Sequence, residues 1–409
     1  MLKLKMENKK IKICYILPFY EEGTDTHLFY NYELIKKVAA RKEADLFIII
    51  EKCPKLSLGQ IKESLGIKSC YAQKFKFPPL RFFELVLKCF KLRSRGYTNF
   101  YVHYSYYGAI AGWLVSNFPI FSHCAHIFYW NRGMPWLFKR GWFEEKIFRF
   151  VLRHTILVTG PESLAKEYQK RYAVREYRVL SNWVDVERFA PTSPQRKVTL
   201  SKAEIFQDFS QRDGARLSNS PAGEYAGLEK SAAEAKPHAR IILFVHRLSK
   251  RKGADLIPEI AKGFGDDALF LMIGDGPEFE NLKFKIENSG LKNIKLLGQV
   301  PNKDITWYFH SSSIFLMPSR EEGSPHVILE AMASGVPFIA SDIGGVREIV
   351  PKEFERFLCP SEDVKCFQDK IKTLLANSGL YENTRAQCLN HAQKFDISRG
   401  INEFIDLFK

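Results

Sequence analysis

Two carboxylates eight residues apart, Glu322 and Glu330, are set in very different company. Glu322 lies in a polar loop with Arg320, Glu321 and Gly323, whereas Glu330 lies among Val327, Ile328, Leu329, Ala331 and Met332. A carboxylate in such an apolar run is buried, and it needs hydrogen-bond donors to offset the loss of water. A ribose diol is one such set of donors, and an ion pair with a neighbouring helix is another. Upstream, Arg247 and Lys252 stand five apart in HRLSKRKG. A guanidinium fork and a compact ammonium together match two bridged phosphates. Lys250 and Arg251, between them, read as solvated cations.

The elements that must position these groups are legible. Ile314–Met317 reads as a short buried strand stopped by Pro318. Ser324 stands where an N-cap belongs, with Pro325 at the first helical position, where its missing N–H costs nothing. A helix over His326–Ala333 ends at Gly335, and Val336–Ala340 begins the next strand. Strand, loop, helix and strand form a βαβ unit, in which ligands bind beyond the carboxyl ends of the strands and against helix N-termini. Arg240–His246 is a buried strand leading into the two cations. Leu269–Ile273 leads into GDGPE, which lacks the Gly-Lys-Ser/Thr end of a Walker A loop, and Ile294–Leu297 leads into GQVPNKD.

The glutamate pair followed by EAMASGVPFIASDIGG resembles the signature of family 4 glycosyltransferases, retaining enzymes of the GT-B fold. HRLSKRKG resembles the family's GRL…KG, with His246 in place of the first glycine, and LSNWVDVERFAP (180–191) resembles its connector between domains. The resemblance implies an α/β fold of two Rossmann-like, doubly wound domains facing each other across a cleft. It assigns Glu322 to the donor sugar hydroxyls, Glu330 to the nucleotide ribose, and Arg247 with Lys252 to the donor diphosphate. Backbone groups of Gly323, Ser324, Pro325, His326 and Val327 would meet the sugar and diphosphate, with Gly274 and Gln299 in turns beside the nucleotide. Near the N-terminus the family's paired glycines are replaced by Gly23 and Thr24. Ile120–Phe128 reads as a strand carrying His123 and His126, and His126 lies near the family's strand-end histidine, which faces the donor sugar. No Asp-x-Asp pair is present for a divalent metal, so the diphosphate charge falls to Arg247, Lys252 and the helix dipole, with no cofactor beyond the donor itself.

The expected organisation is an acceptor-binding domain over 1–190, an insertion or linker over 191–239, and a nucleotide-sugar domain over 240–390. A C-terminal helix over 391–409 would pack back on the first domain. The 409 residues are 45% hydrophobic and 26% charged, enough for two cores, and the eight cysteines show no C-x-x-C or zinc spacing, which suits a reduced cytoplasmic protein. IKICYILPF is too short and interrupted for a signal segment.

Net charge is +15, and the whole excess lies in residues 1–190, which hold 32 Lys+Arg against 17 Asp+Glu. No zinc finger or RNP motif accompanies it, so an anionic membrane surface or acceptor fits better than nucleic acid. Residues 78–95 carry charges near every 3.5 positions beside a strongly apolar remainder. They read either as a helix packed on the sheet with one wet face or as a basic segment resting on lipid, peripheral to a membrane's inner face. The function that follows is metal-independent transfer of a sugar from a nucleotide donor to a glycan or lipid-linked acceptor, with retention. A nucleotide-sugar epimerase and a silent sugar-nucleotide binding module are the alternatives.

Overall fold

The computed structural model describes residues 10–21, 28–52, 57–121, 124–191 and 240–409. Gly23, Thr24, His123 and nearly all of the expected 191–239 insertion lie outside the described residues. Two compact units divide the chain: Met1–Asn182 with Ile397–Lys409, and Trp183–Asp396.

In the first unit the strands are β1 (Ile11–Phe19), β2 (Ala44–Lys52), β3 (Ser69–Ala72), β4 (Asn99–His103), β5 (His126–Trp130), β6 (Ile156–Thr159) and β7 (Tyr177–Val179). Its helices are α1 (Leu28–Ala39), α2 (Leu58–Leu65), α3 (Pro78–Ser94), α4 (Tyr106–Ser116), α5 (Trp142–His154) and α6 (Glu162–Tyr172). The sheet is parallel, in the order β3-β2-β1-β4-β5-β6-β7. Ile13, Cys14, Tyr15, Ile16 and Leu17 of β1 are buried on both faces, as an unbroken apolar run requires of a central parallel strand. The order reverses direction after β1. Right-handed crossovers therefore put α1 and α2 on one face and α3, α4 and α5 on the other, where α3 packs on α4 and α4 on α5.

The second unit opens with α7 (Val186–Phe189) and continues with β8 (Arg240–Val245), α8 (Ile257–Ala261), β9 (Ala268–Ile273), α9 (Phe279–Ser289), β10 (Ile294–Gly298) and α10 (Ile305–His310). It ends with β11 (Ile314–Met317), α11 (His326–Ala333), β12 (Phe338–Ser341), α12 (Val346–Ile349), β13 (Leu358–Cys359), α13 (Val364–Ala376) and α14 (Ser378–Ala392). This sheet is also parallel, in the order β10-β9-β8-β11-β12-β13. Its direction reverses between β8 and β11, which pair through Ile242 with Ile314 and Leu243 with Phe315. Such a switch point parts the two loops that follow the paired strands and leaves room for a ligand at their carboxyl ends.

Three expectations about elements are corrected. The boundary between units precedes α7 rather than following it, because Val184 bridges Asp396, the Arg188 guanidinium donates to Asn302 Oδ1 at 2.6 Å, and Phe189 packs on Phe309. The C-terminal helix is shorter than the expected 391–409: α15 (Ile397–Asp406) begins only after α14 has ended at Ala392 and a turn has formed over Gln393–Phe395. It lies in the first unit, with Phe404 against Tyr101 and Phe408 against Phe128, at ring distances of 4.9 Å in both pairs. The strand expected from Ile120 begins only at His126, because the Ser116 hydroxyl holds the chain at Ala125, accepting from its N–H at 3.0 Å and donating to its carbonyl at 2.7 Å.

Two glycines let the loops at the switch point pass at backbone contact. A Cβ on Gly253 (φ +68°) would lie 1.9 Å from the Pro318 carbonyl oxygen, and one on Gly274 (φ +136°) the same distance from that of His246. Neither position tolerates a side chain without moving a strand end. Gly274→Ala should therefore destabilise the second unit by about 2 kcal/mol or more, given strain and clash together. Urea denaturation followed through that unit's transition measures it, and an unchanged midpoint would contradict the packing.

Candidate active site

At the switch point of the second unit, one carboxylate oxygen gathers three donors. Glu322 Oε1 lies 2.6 Å from Lys252 Nζ, 2.9 Å from His246 Nε2 and 2.9 Å from Ser319 Oγ. Lys252 and Glu322 are both buried. His246 and Lys252 come from the segment after β8, Ser319 and Glu322 from the loop after β11, so the cluster ties the two loops together. Burial pushes the Glu322 carboxyl up, but His246 and Lys252 outweigh it and hold the group far below the usual range. Burial pulls the Lys252 ammonium below its ordinary value, with the Glu322 charge opposing.

The histidine's tautomer follows from its neighbours. The Arg247 backbone N–H donates to His246 Nδ1 at 3.0 Å, so that nitrogen is an acceptor and the ring proton sits on Nε2, aimed at Glu322. Burial, reinforced by the Lys252 charge, holds His246 below its ordinary value, in keeping with the neutral ring. His246 and Lys252 together hold Glu322 anionic.

Arg247 differs from Lys252. Its side chain is exposed and forms no ion pair among the described residues, so the cation points outward where Lys252 is turned in. Arg320 is structural: its guanidinium donates to both Asp255 oxygens at 2.7 and 3.0 Å and to Glu362 at 2.5 Å, while its backbone N–H bonds the Arg251 carbonyl.

Beyond Glu322 the chain enters α11. Pro325, not Ser324, occupies the N-cap position, and no side chain caps the helix. The expectation of a serine cap fails because extended backbone (ψ 116°) persists to Pro325, delaying the helix to His326. Uncapped first-turn N–H groups and the helix dipole suit an anion. Gly323, Ser324, His326 and Val327 are half-buried around this helix mouth, and His326 Nδ1 lies 3.2 Å from the Trp183 carbonyl oxygen. Glu330 sits one turn further in, 3% exposed, and burial raises its carboxyl to about 8. Gly274 follows β9 at the same sheet edge, and exposed Gln299 follows β10.

In the first unit the position of His126 is corrected. It opens β5 at the amino end of the sheet and is exposed, because the strand starts later than its apolar run. The histidine at a carboxyl end is His103, which closes β4, is fully buried and stacks on Trp130 at 4.1 Å. Nearby, the Ser105 hydroxyl donates to Glu51 Oε1, and the Arg81 guanidinium stands 3.8 Å from the other oxygen. Burial raises the Glu51 carboxyl against both. His246, Ser319, His103 and Glu51 were not legible as site residues. The one available signal was His246 standing where the resembling motif has glycine.

Residues 228–395 match the family model described as glycosyl transferases group 1. The chain is 29% identical over 150 residues to a 2-deoxystreptamine N-acetyl-D-glucosaminyltransferase of Niallia circulans, covering 36% of this chain and 39% of that protein. It is 28% identical over 203 residues to an Escherichia coli UDP-Gal:alpha-D-GlcNAc-diphosphoundecaprenol alpha-1,3-galactosyltransferase, covering 46% and 50%. These matches span half or less of each relative's length. Among solved structures, Anabaena HepE in complex with UDP and glucose superposes with a TM-score of 0.70 at 16% identity, covering 97% of this chain and 99% of that one. WaaG, a glycosyltransferase involved in lipopolysaccharide biosynthesis, gives 0.63 at 13% identity over 97% and 99%. The fold is that of GT-B glycosyltransferases, two Rossmann-like units with parallel sheets, and the family match supports a glycosyltransferase.

Two outcomes test the electrostatics. Lys252→Met leaves a buried, uncompensated anion and should cost about 3–5 kcal/mol, whereas Lys252→Met with Glu322→Gln should cost less than the single change. Equal losses by urea denaturation would dismiss the pairing. Glu330 has its folded value raised above the ordinary 4.5, so its contribution to stability is fully present below that value and drains away as pH climbs through about 8. Wild type should lose stability relative to Glu330→Gln by up to about 1.4 kcal/mol per pH unit across that window, then level off. Paired melts from pH 6 to 9 should show the gap; parallel curves would mean Glu330 is ionised in the fold.

Proposed function

We propose that the chain transfers a sugar from a nucleotide-diphosphate donor to a glycan or lipid-linked acceptor, with retention of configuration and without a metal ion. The observation that carries this reading is the edge of the second unit, where an outward guanidinium, a fixed carboxylate and an uncapped helix mouth adjoin a buried glutamate one turn inside. Those groups answer the parts of a nucleotide sugar in turn: Arg247 and the first turn of α11 the diphosphate, Glu322 the sugar hydroxyls, Glu330 the ribose diol.

In the second unit Glu322 is the fixed reference. Its Oε1 is occupied by three donors, so the second oxygen is the one left to accept from a sugar hydroxyl. Lys252 is held with one N–H on Glu322, and an ammonium has three. The remaining donors and Arg247 would oppose the charge that builds on the leaving phosphate, an electrostatic role of the oxyanion type. On this reading the leaving diphosphate takes the acceptor's proton on the face from which it departs, which preserves configuration and requires no dedicated side-chain base. The first unit would present the acceptor, and its charge excess suits an anionic surface, with no nucleic acid involved.

HepE is crystallised with UDP and glucose, and the E. coli relative is described as using UDP-Gal, so UDP-sugars are the first donors to try. Both curated relatives named above are described as transferases, so the epimerase and silent-module alternatives are not favoured. A thermal-shift screen of UDP, GDP and ADP with their sugars should show one nucleotide raising the melting temperature by mass action. With that donor, Arg247→Ala should lower turnover about 10²–10³-fold, the usual loss for one such donor group. Absence of a shift with any nucleotide would remove the reading, and full activity in Arg247→Ala would remove the role of that cation.

A further inference from the structure

Sixteen of the seventeen large apolar side chains left exposed among the described residues belong to the first unit, the exception being Phe284. A chain hiding its apolar surface evenly would not divide them so, and a contiguous exposed patch marks a place where something docks. The patch is built from α3, α4 and α5. Leu80, Phe83 and Leu87 stand at i, i+3 and i+7 on α3 and so form one outward stripe, with Phe83 64% and Leu87 71% exposed. Ring contacts carry it sideways to α4 and the turn that follows it: Phe82 lies 6.2 Å from Tyr107, and Phe90 lies 5.4 Å from Phe118. At the start of α5, Trp142 is 73% and Phe143 69% exposed.

Four of these side chains lie at one end of the face. In a parallel sheet each crossover helix begins at the strands' carboxyl edge. Leu80, Tyr107, Trp142 and Phe143 lie in the first turns of their helices, and so they cluster at that edge.

The exposed charge around them is predominantly positive. Of the seven Lys and Arg in residues 74–95, Lys74, Lys76, Lys91 and Arg95 are exposed, whereas Arg93 is buried and Arg81 faces Glu51. The single acid, Glu84, is buried and accepts from the Tyr71 hydroxyl and the backbone of Lys74. Lys74 and Lys76 are exposed ahead of α3, Lys139 is exposed ahead of α5, and Lys146 lies over the Trp142 ring at 3.8 Å. The acids on α5 are Glu145, paired with Arg140 and Arg149, and Glu144, the one exposed carboxylate of that stretch. Apolar rings inside a cationic border match an anionic bilayer, where aromatic side chains lie at headgroup depth and lysines reach the phosphates.

We infer that the α3–α4–α5 face of the first unit is a docking surface for an anionic lipid bilayer. It holds the carboxyl edge of that sheet against the membrane. The inference deepens the proposed function by presenting the acceptor at a lipid surface, and it rests on that reading only for the acceptor; the lipid contact is measured without any sugar. Co-sedimentation of the full chain with phosphatidylcholine vesicles and with 3:1 phosphatidylcholine–phosphatidylglycerol vesicles, at low salt, is the test. The chain should pellet with the anionic vesicles and remain in solution with the neutral ones. Phe83→Asp with Leu87→Asp should lower partitioning more than tenfold, and each of Lys74→Glu and Lys76→Glu by about fivefold or more. Phe284→Asp should bind as wild type. Melting curves matching wild type show that the variants fold, as expected for changes at exposed positions. No pelleting with anionic vesicles, equal pelleting with both kinds, or unchanged binding by the Phe83/Leu87 variant would overturn the surface. So would light scattering that shows a dimer dispersed by that variant, since a second copy would then be the occupant.

Discussion

A single oxygen of Glu322 holds the second unit's site together. Three donors from two loops converge on it, and its partner segments lie 70 and 76 residues away in the chain. A buried carboxylate is costly alone, so the loops after β8 and β11 are held in register by the penalty each would incur on parting. The backbone agrees with the charge. Gly253 passes against the Pro318 carbonyl, the Arg320 N–H bonds the Arg251 carbonyl, and Arg320 clamps Asp255 from the opposite loop. Charge pairing and close backbone approach thus specify the same arrangement at the switch point.

This arrangement separates two cations that look equivalent in HRLSKRKG. Lys252 is committed inward to Glu322, while Arg247 stays at the surface and lends only its backbone N–H to His246. The inner cation fixes geometry and sets the carboxylate's charge; the outer one can meet a ligand's charge. A site prepared in this way has its charges oriented before the ligand arrives, which is where electrostatic stabilisation gains its effect.

Legibility followed the range of the forces involved. In the second unit β9, β10 and β11 read well because each is an apolar run closed by Gly or Pro, as Pro318 closes β11. Helix α11 read well because His326–Ala333 is largely apolar and ends before Gly335, but its N-cap was misplaced because local propensity cannot tell whether Ser324 or Pro325 turns the chain. His126 misled because its apolar stretch continues upstream of where pairing with β4 begins. His246 could not be recognised from its neighbours, since its meaning depends on Glu322 across the sheet. The apolar stripe on α3 was visible, yet whether it faced the sheet or solvent is decided by packing: Leu85, Cys89 and Leu92 turn inward and leave Leu80, Phe83 and Leu87 outside.

The two units repeat one topology with opposite electrostatics. In the second, the edge carboxylate Glu322 has a lysine at 2.6 Å and is held far below its ordinary range. In the first, Glu51 accepts from a serine hydroxyl and has an arginine at 3.8 Å, and burial prevails to raise it. The second unit internalises its charges, and residues 191–409 balance 29 basic against 29 acidic side chains. The first leaves its excess on the surface beside exposed rings. One parallel-sheet scaffold can support both arrangements because the sheet's apolar faces carry stability, leaving each carboxyl edge to be furnished according to what approaches it.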